Sequence, residues 1–122
     1  MGQAIPLPES GWELRVGRGS HDRAALEVYT GDGLIDVAVA GGRGASLIRG
    51  AVRGRRWAVA WGLLPAAGDV VVEFRTGGTV RRVPAVTVGR SFWVAEVPGR
   101  FRSVEVTSAA ERSSFRLMRF RG

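Results

Sequence analysis

The side chains able to take part in chemistry are few and uneven in kind. A single histidine, His21, stands between Ser20 and Asp22, and the chain has neither cysteine nor lysine. A consecutive Ser-His-Asp run does not make a nucleophilic triad, because triad partners converge from separate elements. No G-x-S-x-G elbow presents a serine, and the absence of thiol and amine removes two common nucleophiles. His21 is therefore read as a polar loop residue. Asp32 and Asp36 flank a turn but lack the oxygen-rich spacing of a calcium loop, and zinc would need several histidines or cysteines. Gly17-Arg18-Gly19 and Gly41-Gly42-Arg43-Gly44 open no helix and lack the lysine of a phosphate-binding P-loop. The 11 acidic residues contain no pattern that selects the carboxylate pair glycoside hydrolysis needs. No catalytic residue, metal site or cofactor is expected, and the chain reads as a binding protein rather than an enzyme.

What the sequence does offer is arginine. Residues 43–56 carry Arg43, Arg49, Arg53, Arg55 and Arg56 without one acid, and Arg81-Arg82 adds a pair. These seven are the candidate partner-binding residues. The planar guanidinium fork suits carboxylate and phosphate, so the expected partner is an acidic protein surface or an anionic polymer. The alternative is nucleic acid. Arg56-Trp57, Arg100-Phe101-Arg102 and Arg119-Phe120-Arg121 set cations beside aromatics, the mix by which grooves meet phosphates and stack bases. A strand that alternates arginine outward with aromatics inward gives the same pattern, and an alanine-, glycine- and valine-rich chain without lysine also fits a high-GC coding bias. The net charge of +7 is unevenly placed: residues 1–42 hold three arginines and six acids, residues 43–122 fifteen and five. Such asymmetry marks either an interaction face or two parts that lie against each other.

The elements that position these arginines read as strands. The chain of 122 residues is of single-domain size, with residues 1–11 a proline- and glycine-marked lead-in and 12–122 one β-sandwich domain. Trp12, Leu14 and Val16 alternate onto one face. Residues 24–30 and 34–40 flank a Gly31-Asp32-Gly33 hairpin turn, with Ile35, Val37 and Val39 sharing a face. Ser46–Arg49 reads as a short strand. In residues 56–61, Trp57, Val59 and Trp61 face one way and Ala58 and Ala60 the other, which predicts a strand covered closely on both sides. A hairpin follows over 69–75 and 79–83, with Val70, Val72 and Phe74 inward. Pro84 predicts an edge position for Val86–Val88. Phe92–Val97 and Ser103–Thr107 come next, then a turn at 108–111. Residues 114–120 have apolar side chains on both faces, as a central strand would. About nine or ten short strands at this spacing predict an all-β, immunoglobulin-like antiparallel sandwich, with a five-stranded OB barrel the second choice.

From Trp61-Gly62-Leu63-Leu64-Pro65 through Val83-Pro84-Ala85-Val86, Ser91-Phe92-Trp93-Val94-Ala95-Glu96-Val97-Pro98-Gly99 and Val104-Glu105-Val106, the chain resembles a β-sandwich module of uncharacterised actinobacterial proteins. It departs from that pattern at the Thr76-Gly77-Gly78 hairpin and at Ser108–Glu111. The resemblance covers about residues 61–107, implies a sandwich fold and an extracytoplasmic setting, and brings no catalytic residues with it. No run approaches the ~20 apolar residues of a membrane span, and Met1–Ser10 lacks the basic and apolar regions of a signal peptide. As written, the chain is expected in the cytoplasm; a start other than Met1 would favour the extracytoplasmic setting. An exposed edge near Pro84 or a tryptophan-bearing face is also compatible with a homo-oligomer.

Overall fold

The computed structural model describes residues 4–41, 46–66 and 68–120; Arg43 lies outside them. Among the described residues thirteen strands follow one another: β1 (Ala4–Pro6), β2 (Glu13–Arg18), β3 (Ala24–Thr30), β4 (Gly33–Val39), β5 (Gly50–Arg53), β6 (Trp57–Leu63), β7 (Val71–Thr76), β8 (Thr79–Val83), β9 (Val86–Val88), β10 (Phe92–Pro98), β11 (Ser103–Thr107), β12 (Arg112–Arg116) and β13 (Met118–Arg119). Among the described residues the one helical turn is a short 3₁₀ segment, Ser20–Asp22, where His21 sits at φ 57°. His21 is thus an exposed turn residue between β2 and β3.

The strands form three sheets. The first is the meander β1-β2-β3-β4, the second is ordered β13-β5-β6-β10-β9, and the third β12-β11-β7-β8. All pairs are antiparallel except β13 with β5. Two separate cores place the second sheet in the middle. Val59, Trp61, Phe92 and Val94 pack with Leu14, Leu26 and Val28 of the first sheet. Ala58, Ala60, Trp93 and Ala95 pack with Val72, Phe74, Val104 and Val106 of the third. Strand β6 therefore is covered on both faces, as its alternation of large residues and alanines predicts. Alanine on one face leaves room for Trp93 and Phe74, and both are fully buried.

Close approach fixes β6 on that side. The Trp93 indole N–H donates to the Leu47 carbonyl at 2.8 Å, fully buried. A Cβ at Gly62 would collide with that same carbonyl, so only glycine lets residues 46–48 lie flat against β6. This contact explains why residues 46–49, expected as a strand, are instead irregular and the strand begins at Gly50. The backbone pairing of this segment is limited to isolated bonds such as Arg49 N–H to the Trp61 carbonyl.

Three further expectations change. Residues 4–6 of the lead-in pair with β2 and bring Leu7 into the first core. In β4, Ile35 and Val37 do share a face, but it is the outer one, at 42% and 40% exposure. The register of β3 with β4 shifts between Val28 and Tyr29, and the inward positions are Ala38 and Asp36. The Asp36 carboxylate accepts the Trp61 indole N–H and an Arg49 bidentate pair, so an acid is satisfied where an apolar residue would otherwise sit. Finally, residues 114–120 are not a central strand. The chain leaves the edge of the third sheet at β12, buries Leu117, and joins the edge of the second sheet as β13. Its apolar residues lie on both faces because it changes sheet. The lead-in strand and this split raise the strand count above the nine or ten expected.

Candidate functional site

One end of the middle sheet gathers the arginines. Strands β5 and β6 are joined by Gly54-Arg55-Arg56, closed by Gly54 N–H to the Trp57 carbonyl at 2.9 Å. Gly54 lies flush on the Trp57 ring, where a Cβ would clash. Beside this turn, Gly99 N–H bonds the Arg56 carbonyl and brings in the β10–β11 loop, which carries Arg100 and Phe101. On the other side, Phe120 N–H bonds the Arg53 carbonyl and brings in the end of β13.

These contacts enclose a cleft of about 560 Å³ lined by Arg53, Arg55, Arg100, Arg119, Phe101 and Phe120 together with Gly54. Among the described residues no carboxylate lines it. None of its four arginines forms an ion pair among the described residues. Arg53 and Arg119 are direct partners in the parallel register of β5 and β13, so their side chains leave the sheet on the same face. Like charges directly opposite destabilise a sheet by some tenths of a kcal/mol up to about 1 kcal/mol.

The sequence-derived set divides. Arg53 and Arg55 line the cleft, and Arg56 is exposed on the same turn. Arg49 lies at the other end of β5, engaged with Asp36 at 2.9 Å; the acid holds the guanidinium charge even more firmly than usual, chiefly through its hydrogen bond. Arg81 and Arg82 are on β8, the edge of the third sheet. There Arg82 pairs with Glu73 in a surface network that also holds Arg75, Glu105 and Arg112. Arg100 and Arg119 were absent from the expected set. Their signal was the cation–aromatic alternation around Phe101 and Phe120, which alternation alone explained equally well. Position supplies the missing information: Phe101 turns into the core against Phe74 at 5.9 Å, leaving Arg100 at the rim.

A second cavity of about 540 Å³ adjoins the first across the turn and shares Gly54, Arg55 and Phe120. Its remaining walls are Trp12, Trp57, Ser10, Thr30, Gly31 and Asp32. Trp12 is buried and packs edge-on against Trp57 at 5.2 Å and Phe120 at 4.9 Å, while the latter two stay partly exposed. The lining residue Ser10 is held by Glu96, whose carboxylate accepts the N–H groups of Glu9 and Ser10 and the Ser10 hydroxyl. Among the described residues no group of three or more His, Cys, Asp or Glu is placed to hold a metal ion, and no helix is long and apolar enough to cross a membrane. No protein-family model, curated protein or solved structure matches this chain.

Proposed function

We propose that this protein is a binding module that docks an acidic partner, a protein surface or an anionic polymer, through the arginine cleft at the end of the middle sheet. The observation that carries this reading is the convergence of four guanidiniums, with no carboxylate among the described residues lining the cleft and two of the arginines directly opposed. Planar guanidinium forks hold carboxylates, sulfates and phosphates bidentately, and the groups lining the cleft suit holding an anion rather than moving a proton. Nucleic acid is the second reading, favoured by Phe120 standing partly exposed among the arginines. The nine strands from β5 to β13, which make the second and third sheets, are the part we read as immunoglobulin-like. The resemblance to the actinobacterial module falls within them.

The test is a variant with Arg53, Arg55 and Arg119 replaced by glutamine, titrated with heparin, polyglutamate and short oligonucleotides. Affinity for the polyanion that binds should fall at least tenfold while the melting transition is kept. For a nucleic acid, the slope of log affinity against log salt should shrink by roughly one for each phosphate-contacting arginine removed. Unchanged affinity in the triple variant refutes the cleft as the docking site. No binding to single- or double-stranded DNA or RNA at ~50 mM salt removes the second reading.

A further inference from the structure

The aromatic cavity beside the arginine cleft has a different chemistry, and the two together are more selective than either. The charged groups of the cleft are all arginines, whereas the adjoining cavity is lined by Asp32 as well as Arg55. Asp32 is exposed in the β3–β4 turn; its own N–H donates to the Thr30 hydroxyl at 3.1 Å, and its carboxylate has no partner among the described residues. Arg55 lines both cavities without pairing with it. Trp57 and Phe120, both partly exposed, line the same cavity as Asp32, and Phe120 also lines the arginine cleft. Together the two cavities offer anion-binding groups, aromatic rings and a hydrogen-bond acceptor.

We infer that the paired cavities form a site for a nucleotide end, with phosphate among Arg53, Arg55 and Arg119, the ring against Trp57 and Phe120, and an amine or hydroxyl donor on Asp32. This rests on the anion-docking reading of the cleft and narrows it. Inside a nucleic-acid strand each base has a phosphate on both sides. A strand running through both cavities would bring its second phosphate to Asp32, and like charges there oppose it. A free nucleotide, or the phosphorylated terminus of a strand, presents its phosphate at one end only. Base–aromatic contact adds affinity independent of charge, and a carboxylate accepting from an amine or hydroxyl makes a strong, charge-assisted hydrogen bond.

The experiment uses the full chain with adenosine 5′-monophosphate, adenosine and inorganic phosphate as probes, read by calorimetry and by tryptophan fluorescence. The mononucleotide should bind at least tenfold tighter than either half and quench fluorescence, which inorganic phosphate should not. Asp32→Asn should weaken the mononucleotide roughly ten- to hundredfold, the worth of a hydrogen bond to a charged group, and leave inorganic phosphate unweakened. Arg119→Gln should weaken both. A short oligonucleotide with a 5′-phosphate, compared with its 5′-hydroxyl form, separates the sources. Tighter binding of the phosphorylated strand than of the mononucleotide assigns the site to a strand end, and the reverse assigns it to a free nucleotide. The inference is overturned if the mononucleotide binds no better than inorganic phosphate, or if Asp32→Asn leaves it unaffected. Retained, arginine-dependent binding of heparin or polyglutamate in that case keeps the broader docking reading; loss of arginine dependence for every anion removes both.

Discussion

Individual arginines in this protein are divided between two uses, and their neighbours decide which. Arg82 lies 3.2 Å from Glu73, which also meets Arg75 at 3.0 Å. The hydrogen bond from Arg82 is the largest influence on Glu73; burial opposes it, Arg75 reinforces it, and the carboxyl is held below its ordinary value of 4.5. The folded state thus binds this proton less readily than the unfolded chain. The resulting stability is fully present above about pH 4.5 and is lost as pH falls through the lower, folded value. In Arg82→Gln, the Glu73 carboxyl should titrate closer to 4.5, and the acid loss of stability from this group should be smaller and end at higher pH, its onset still set by the unfolded chain. NMR titration of the Glu73 side chain checks this; an identical midpoint in the two proteins would show that Arg82 does not hold it. Among the described residues Arg53 and Arg119 have no such acid, and both line the cleft.

At the scale of elements, the cleft depends on a strand that changes sheets. Leu117 is buried between β12 and β13, and its N–H bonds the Arg102 carbonyl. It pins the crossing that delivers Arg119 and Phe120 to the end of β5. Leu117→Ala should cost about 2–5 kcal/mol by lost transfer energy and the cavity left behind, and it should weaken anion binding although residue 117 does not line the cleft. Chemical denaturation measures the first effect; a loss below about 1 kcal/mol would mean that the crossing frays rather than pins. The same element marks the boundary of what the sequence made legible. Alternation in β6 told truly that both its faces are covered, and Pro84 placed β9 at an edge, because burial and the missing N–H act locally. Residues 114–120 show apolar side chains on both faces, which a central strand and a sheet-switching strand produce alike. The exposed apolar face of β4 was equally hidden, since a bulge and the Asp36–Trp61–Arg49 contact set which side turns inward. For the site, residues 43–56 stood out as an acid-free run, of which Arg53 and Arg55 line the cleft, but Arg100 and Arg119 reach it through pairings of loop and edge strand that no local pattern encodes.

Over the whole molecule, the charge of +7 is not spread as a uniform field. The outer face of the third sheet binds much of its arginine internally, with Glu73 and Glu105 set among Arg75, Arg82 and Arg112. Four arginines without an ion pair among the described residues, Arg53, Arg55, Arg100 and Arg119, share one cleft at the end of the middle sheet. Folding concentrates this repulsion, because the unfolded chain keeps Arg53 and Arg119 far apart in sequence. A multivalent anion that binds the cleft therefore stabilises the folded form by mass action, by about 2.7 kcal/mol at a hundred times its dissociation constant. Inorganic triphosphate should raise the melting temperature along a saturating curve, beyond the effect of sodium chloride at equal ionic strength. Arg119→Gln should act in the opposite order. Without anion it should melt roughly one to five degrees higher, from relief of one opposed pair, and with triphosphate it should gain less than the parent chain. The two curves should therefore converge or cross as triphosphate is added. Parallel curves would assign the stabilisation to general screening of the +7 charge rather than to occupation of this cleft.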